Sequence, residues 1–472
     1  MTQWRKFSVS IFLICLLEFV FWAYCTVSAA GAAEEMYMVK GIETFKNAAS
    51  LVERTSNENN LKEADIHHHG LGLFANTAID GHNGVGRLGV WIAVAAQELM
   101  AHPYEFYQML KFKFFYKVPD FPKNLSEADI YSYKKLVKVS RSFAAVIAEL
   151  PEDLRRPIAN FYLVLRGLDT VEDDMSIPLE KKMPELRSFY KHLYEKGWNV
   201  SGYGDNADER DLLERFHYVV DVFLDLKPAY QQVIADITRR MGEGMAKYAG
   251  EKTVVTLEDY NEYCHYVAGL VGIGLSQMFA ASGLESEKFG QMDELANSMG
   301  LFLQKTNITR DYLEDVTAVN PRIFYPKDIW GKYAKNIGDL KEPENKEQAL
   351  QCLNEMVTNA MAHINDCLDY MMLLTHPNVF KFCGLPQAMA IATLARIYNN
   401  YDVFKREVKI RKGEAVQIMM YGGNYETIIS YFVQYIKELE DKIPESDPNA
   451  EKMRHYIAVA RARIAKGRGR QQ

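Results

Sequence analysis

Two acidic clusters, each closing an apolar run, limit the folds open to this chain more than any other feature of it. In FYLVLRGLDTVEDDM, the acids Asp169, Glu172, Asp173 and Asp174 follow the apolar run from Phe161 to Leu168. On a helix, Asp169 and Asp173 stack on one face, with Glu172 three residues from Asp169. Pro157 is placed to open that helix and Pro178 to help close it. Like charges held this way repel, so a fold that keeps them needs a counter-charge. A divalent cation is the simplest one, and hard Mg2+ takes carboxylate oxygens together with phosphates. A single cluster of this kind is ordinarily a solvated helix end. Here MGLFLQKTNITRDYLEDV repeats the arrangement, with Asp311 and Asp315 four apart, Glu314 between them, Asn307 one turn earlier and Arg310 adjacent. Two such clusters facing each other across a cavity suit a bridging group of high negative charge, and diphosphate bound through several Mg2+ ions fits.

The remainder of the pattern is helical. From His102 to about residue 440 most segments carry apolar residues at i, i+3, i+4 spacing, with Gly and Pro as punctuation and little β-type alternation. The expected fold is therefore all-α, one large helical domain over residues 96–445 with a central cavity. Thr256 with Asp259 makes a capping box for a helix through Ala281, and Gly283 is its stop. The chain has 472 residues, 48% hydrophobic, enough for one large core. A net charge of -7 gives no footprint for nucleic acid. The six cysteines lack metal-ligand spacing and read as reduced thiols, four of them in the helical region (Cys264, Cys352, Cys367 and Cys383).

Residues 7–30 form an apolar stretch behind Arg5 and Lys6, long enough to span a membrane, although Glu18 in its middle is costly there. The small residues Ala30-Gly31-Ala32 also resemble a signal-peptidase site, so anchor and cleaved signal both stay open. The flanking charges would send the remainder into the lumen. Residues 36–95 read as a poorly defined extension. His67-His68-His69 reads as a solvated run. Gly84-Val85-Gly86-Arg87-Leu88-Gly89 matches G-x-G-x-x-G but follows no strand, so it is no dinucleotide fingerprint. The basic last stretch, residues 446–472, reads as a tail with an apolar stripe, either lying on anionic membrane or frayed in solvent.

Several side chains flank the acid clusters with chemistry of their own. Arg141 in SRSF (Ser140, Ser142, Phe143), Arg166 three residues before Asp169, Arg310 and Arg322 are suited to forked contacts with phosphate oxygens. Lys409 and Arg411 in VKIRKGEAV fit the same role on a loop over the cavity mouth, with Lys412 facing solvent. Tyr263 and Tyr266 share a helix with Gly269, Gly272 and Gly274, glycines that cost about 1 kcal/mol each relative to Ala. Close helix packing or room for an apolar ligand would each offset that cost.

DTVEDD preceded by FYLVLR, together with QKTN-x-x-RDYLED, resembles the squalene synthase family, the head-to-head condensing enzymes of farnesyl diphosphate. SRSFAAVI, YCHYVAGLVGIGLS, FCGLPQAMAIATLA and VKIRKGEAV extend the likeness in order over roughly residues 100–450. PRIFYP, residues 321–326, departs from a Gly-Arg-Glu-Phe-Trp-Pro type loop but keeps Arg322, Phe324 and Pro326. The resemblance implies Mg2+ on Asp169, Glu172, Asp173, Asp311 and Asp315, and NADPH at Arg141, Arg166, Arg310, Lys409 and Arg411. It implies catalysis by Tyr263 with the aspartates and Phe382, and substrate contacts from Ser140, Ser142, Phe143, Tyr162, Met299, Gln304, Asn307 and Arg322. Two farnesyl diphosphates would give presqualene diphosphate and then, with hydride from NADPH, squalene, at the start of sterol synthesis. It also implies an endoplasmic reticulum membrane protein with its catalytic domain in the cytosol, expected here to act as a monomer. The alternatives are a dehydrosqualene-type enzyme without the reductive step and a membrane-tethered helical binding protein without catalysis.

Overall fold

In the computed structural model the chain divides into two units, 1–113 and 114–472. The structure describes residues 125–468 apart from 141, 319 and 320, together with five helical positions between 105 and 112. The apolar segment at 7–30, the histidine run, the glycine motif and Arg141 lie outside the described residues. So does the Ser142 side chain.

Among the described residues every regular element is helical. The described part of the second unit opens with α1 (Glu127–Ser140), α2 (Ser142–Ala148), α3 (Glu152–Asp173), α4 (Leu179–His192), α5 (Ala207–Glu214), α6 (His217–Leu224) and α7 (Pro228–Ala246). It continues with α8 (Leu257–Cys264), a π-helical turn at His265–Gly269, α9 (Leu270–Ser282), α10 (Asp293–Arg310), α11 (Tyr312–Thr317) and α12 (Lys327–Trp330). Helices α13 (Lys346–Met361), α14 (Ile364–Leu373), α15 (Pro377–Ile397), α16 (Lys412–Tyr421), α17 (Tyr425–Asp441) and α18 (Ala450–Arg468) complete it. One contiguous core runs from Tyr133 to Ile464. Helix α10 lies in its middle, packed against α9, α13, α14 and α15, while α3 packs on α1, α7 and α9.

Local chemistry explains several boundaries. The Thr256 hydroxyl accepts from the Asp259 amide at 3.0 Å and Asp259 Oδ2 accepts from the Thr256 amide at 2.8 Å, the expected capping box. Gly283 closes α9 with φ of 73°, a left-handed position that suits glycine. Pro157 does not open α3. The helix starts at Glu152, with Pro151 as its N-cap accepting from the Leu154 and Arg155 amides, and Pro157 sits within its early turns. Pro178 is the N-cap of α4, so it starts the next helix.

Helices α8 and α9 with their π turn span Leu257–Ser282 and are long and apolar enough to cross a membrane by length and composition. Their surroundings are protein: Tyr260, Tyr263, Cys264, Leu270, Ile273, Met278 and Phe279 are buried. A Cβ on Gly272 would collide with the Ala296 carbonyl and one on Gly300 with the Ala268 carbonyl. The glycines therefore serve backbone-close packing of this helix against α10. The basic C-terminal stretch corrects a second expectation. It forms α18, whose stripe of Met453, Ile457, Ala460 and Ile464 is buried against α14 and α17 and is neither frayed nor free for a membrane. Arg463 pairs with Asp369 at 3.1 Å and Arg461 with Glu440 at 2.6 Å. The cysteines Cys264, Cys352, Cys367 and Cys383 are free thiols.

Candidate active site

The first cluster stands at the C-terminal end of α3. Asp169 and Asp173 lie on the same continuous helix and Asp174 is its C-cap. Asp174 is structural: it accepts from the Ser176 amide and hydroxyl and from the Gly204 amide. Lys182, buried in α4, donates to the Glu172 carbonyl at 2.9 Å, a cation on the last turn of α3 where the helix dipole favours one. No sequence pattern singled it out; the only signal was a lysine ten residues beyond the acids. Glu172 is 6% exposed, Asp173 is exposed, and Asp169 keeps some surface although its carboxyl is enclosed.

The second cluster is built differently. Helix α10 ends at Arg310 and Asp311 sits in the break before α11, with φ of -90° and ψ of 14°. Asp311 and Asp315 are thus joined across a helix junction rather than along one long helix, although the Asp315 amide still bonds to the Asp311 carbonyl at 3.1 Å. Arg310 turns onto its neighbour and grips Asp311 with Nε at 2.7 Å and Nη2 at 2.6 Å.

Burial sets the electrostatics of both. It pushes the Asp169 carboxyl up to about 7, with Asp173 adding repulsion and Arg166 and Arg322 opposing. Asp315 is pushed up to about 7 by burial, with Asp311 and Glu314 adding to it and Arg322 opposing. Burial raises Glu172 as well, against the pull of Arg322. Carboxyls with these affinities for a proton are short of positive charge, which is the condition a bound cation relieves.

Arg322 is the group common to the two clusters. Its Nη1 donates to Asp173 Oδ1 at 2.7 Å and its Nη2 to Glu172, and it acts on both Asp169 and Asp315. The guanidinium lies 5.0 Å from the Phe324 ring, which stacks on Tyr263 at 4.6 Å and 17°. Tyr248 meets Tyr263 edge-on at 5.4 Å. Burial, with the nearby Glu172 adding to it, holds the Tyr263 phenol well above its ordinary value, so it stays protonated. The π turn at His265–Gly269 follows directly after Tyr263 and Cys264, and such single-turn π segments concentrate at functional sites.

The other expected residues divide into two groups. Tyr162 senses Arg166 and Asp169 and lies 6.2 Å from the Phe143 ring, so all four belong to the first cluster's surroundings. Arg166 pairs with Glu209 at 2.5 Å, and its buried Nε has no hydrogen-bond partner among the described residues. Lys409 and Arg411 lie on the loop before α16, and their neighbour Glu407 acts on Arg310, which brings that loop to the second cluster. Lys409 pairs with Glu407, Arg411 approaches Glu414 at 3.7 Å, and Lys412 is exposed. In the second group, Ser140 turns its hydroxyl onto the Leu136 carbonyl of its own helix at 2.6 Å. Met299 and Phe382 are buried, Phe382 edge-on to Phe279 at 6.2 Å, while Gln304 is half-buried and Asn307 exposed on α10. A surface depression of about 450 Å³, lined by Gly290 to Leu295, lies at the opposite end of α10 from Asp311 and is no part of this site.

Residues 136–414 match the family model described as squalene/phytoene synthase, and these residues hold both acid clusters, Tyr263 and the 407–411 loop. The chain belongs to the squalene/phytoene synthase family. It is 48% identical to the squalene synthase of Homo sapiens over 366 residues, covering 77% of this chain and 87% of the relative. It is 48% identical to that of Dictyostelium discoideum over 377 residues, 78% and 89% of the two chains. A solved structure of TcSQS with the ligand BPH1237 superposes with a TM-score of 0.71 at 42% identity, covering 72% of this chain and all of that one. Within the squalene/phytoene synthase family the activity is that of a squalene synthase, a farnesyl-diphosphate farnesyltransferase of isoprenoid and sterol synthesis. The fold is the helical isoprenoid synthase fold.

Proposed function

We propose that the two clusters grip the diphosphates of two farnesyl diphosphates through Mg2+, with Asp169, Glu172 and Asp173 on one side and Asp311 and Asp315 on the other. The observation that carries this reading is that carboxylates from two distant segments act on one shared cation, Arg322, beside a buried tyrosine. An all-oxygen donor set in which burial and mutual repulsion raise the Asp169 and Asp315 carboxyls fits a hard divalent ion. When bound, Mg2+ draws charge from the leaving diphosphate and favours ionisation of the allylic C–O bond. Arg322 and Arg166 offer forked N–H groups to phosphate oxygens. Tyr263 stays a neutral phenol, so it serves the carbocation through its π face and its oxygen rather than as a standing phenolate. The aromatic layer of Tyr248, Tyr263 and Phe324 keeps water from the cation.

Bound NADPH would supply the hydride for a second half-reaction that converts presqualene diphosphate to squalene and free diphosphate. Arg166, Arg310, Lys409 and Arg411 would hold its phosphates, with Arg141 as a fifth cation. The unpartnered Arg166 Nε supports this. Residues 7–30 would tether a monomer to the endoplasmic reticulum membrane with its catalytic unit in the cytosol, where an apolar product can enter the bilayer directly. Retention of the full chain in a carbonate-washed membrane fraction tests the tether; release of the chain by carbonate would refute it.

The test of the chemistry uses the full chain with farnesyl diphosphate and Mg2+, with and without NADPH, and mass spectrometry of the extracted products. Squalene only with NADPH, and presqualene diphosphate without it, is the expected result. Squalene formation indifferent to NADPH would overturn the reductive assignment.

A further inference from the structure

The carboxylates assigned to the metal are not gathered as a ligand set. Among the described residues no three His, Cys, Asp or Glu side chains converge closely enough to hold an ion. What occupies the first cluster is a guanidinium. Arg322, only 25% exposed, satisfies one oxygen of Glu172 and one of Asp173, from a position about 150 residues further along the chain. Its stem reaches there from an irregular segment, and the Phe324 ring, itself stacked on Tyr263, supports the guanidinium from one side.

From this geometry we infer that Arg322 is an internal substitute for the metal, which competes with an ion for Glu172 and Asp173 and, once displaced, transfers to the diphosphate. The inference rests on the Mg2+ reading above. Two facts favour it. A guanidinium held on one oxygen each of Glu172 and Asp173 takes lone pairs a cation would use and repels the incoming charge, so the two compete for this pair of carboxylates. Diphosphate offers a guanidinium a partner at least as good as a carboxylate, through forked N–H contacts to two oxygens. Metal alone must therefore displace Arg322 with nothing to receive it. Metal with diphosphate provides that receiver, and each ligand strengthens the other. The device makes the enzyme load metal together with substrate, and it keeps the acid cluster neutralised between turnovers.

Titration of the full chain with Mn2+, read by electron paramagnetic resonance, tests this with and without inorganic diphosphate. The chains compared are wild type, R322M, which keeps an apolar stem without the charge, and R322K, which keeps the charge without the fork. Without diphosphate, R322M is expected to bind Mn2+ at least about fivefold more tightly than wild type, with R322K between them. The enhancement of Mn2+ binding by diphosphate is expected to shrink by a comparable factor in R322M. R322M without metal is also expected to melt below wild type and to gain more melting temperature from Mn2+. If R322M does not fold, R322K still ranks against wild type in the same titration. Equal Mn2+ affinity in the folded chains without diphosphate would overturn the Arg322 inference and leave the metal site standing. Absence of Mn2+ binding to wild type even with diphosphate would overturn both.

Discussion

The two acid clusters answer the same electrostatic problem by opposite means. At the end of α3 the carboxylates lie on one unbroken helix and are neutralised from afar, by Arg322 on the side chains and by Lys182 on the Glu172 backbone. At the α10–α11 junction the helix breaks at Asp311, which is neutralised locally by the adjacent Arg310, while Arg322 acts on Asp315 at longer range. Behind the second cluster lies another buried lysine, but Lys305 donates to Asn359 Oδ1 at 2.7 Å and faces the Tyr260 ring at 5.3 Å, with no carboxylate at its ammonium among the described residues. Burial lowers it to about 8. A cluster held from a distance can be opened by moving one loop residue, whereas a cluster held by its sequence neighbour travels with its own clamp. The first is thus the adjustable half of the site and the second the fixed half.

Substitutions separate these roles. The largest effect is expected for Asp169→Asn and Asp311→Asn, each costing about 4 kcal/mol of barrier, or about 1,000-fold in kcat, with the fold intact by circular dichroism. Near-normal turnover in either variant would remove that cluster from the mechanism. Tyr263→Phe keeps the stack on Phe324 and loses the hydroxyl, so presqualene diphosphate formation should fall about 100-fold. A normal rate of that half-reaction would assign the tyrosine to packing alone. Lys182→Met strands the Glu172 carbonyl and should cost about 1–3 kcal/mol in urea denaturation, whereas Arg310→Met, at a less buried clamp, should cost less. The reverse order would contradict the division into distant and local neutralisation.

The smallest effect concerns the support behind the second cluster. Burial, with Lys305 adding to it, holds His363 down at about 3. The unfolded chain takes up that proton near 6.5, so stability from neutral His363 is present above 6.5 and is lost as pH falls toward 3. At pH 5 the loss is about 2 kcal/mol at most. His363→Gln should flatten this part of the stability–pH profile, measured by denaturant titration at pH 7 and pH 5. An unchanged slope would show that His363 is not held neutral.

The acid spacing, the capping box at Thr256 and the stop at Gly283 were legible because each depends on neighbours within one helical turn. What escaped the sequence depends on partners brought from far away or on small departures from 3.6 residues per turn. Lys182 looks like any surface lysine until α4 folds it under α3. The break at Asp311 and the π turn after Tyr263 leave the apolar periodicity almost unchanged. Pro157 reads as a helix start because proline favours that position, yet Pro151 is the cap and the core packing of Ile158, Phe161 and Leu165 carries the helix through Pro157. The buried stripe of α18 carries so many basic residues on its other faces that composition suggested a tail. For the site, residue types and spacing pointed to both acid clusters and the family resemblance to Tyr263, while the place where Arg322 rests required the fold.

The glycine seam has a mechanical meaning. Where Gly269, Gly272 and Gly300 let the Tyr263 helix and α10 touch backbone to backbone, there is no compliant layer of side chains between them. The phenol and the second acid cluster are then fastened to one stiff beam, and their separation is fixed before any ligand arrives. Whatever yields during a catalytic cycle has to yield on the other side of the site, at the end of α3 and in the segment that carries Arg322.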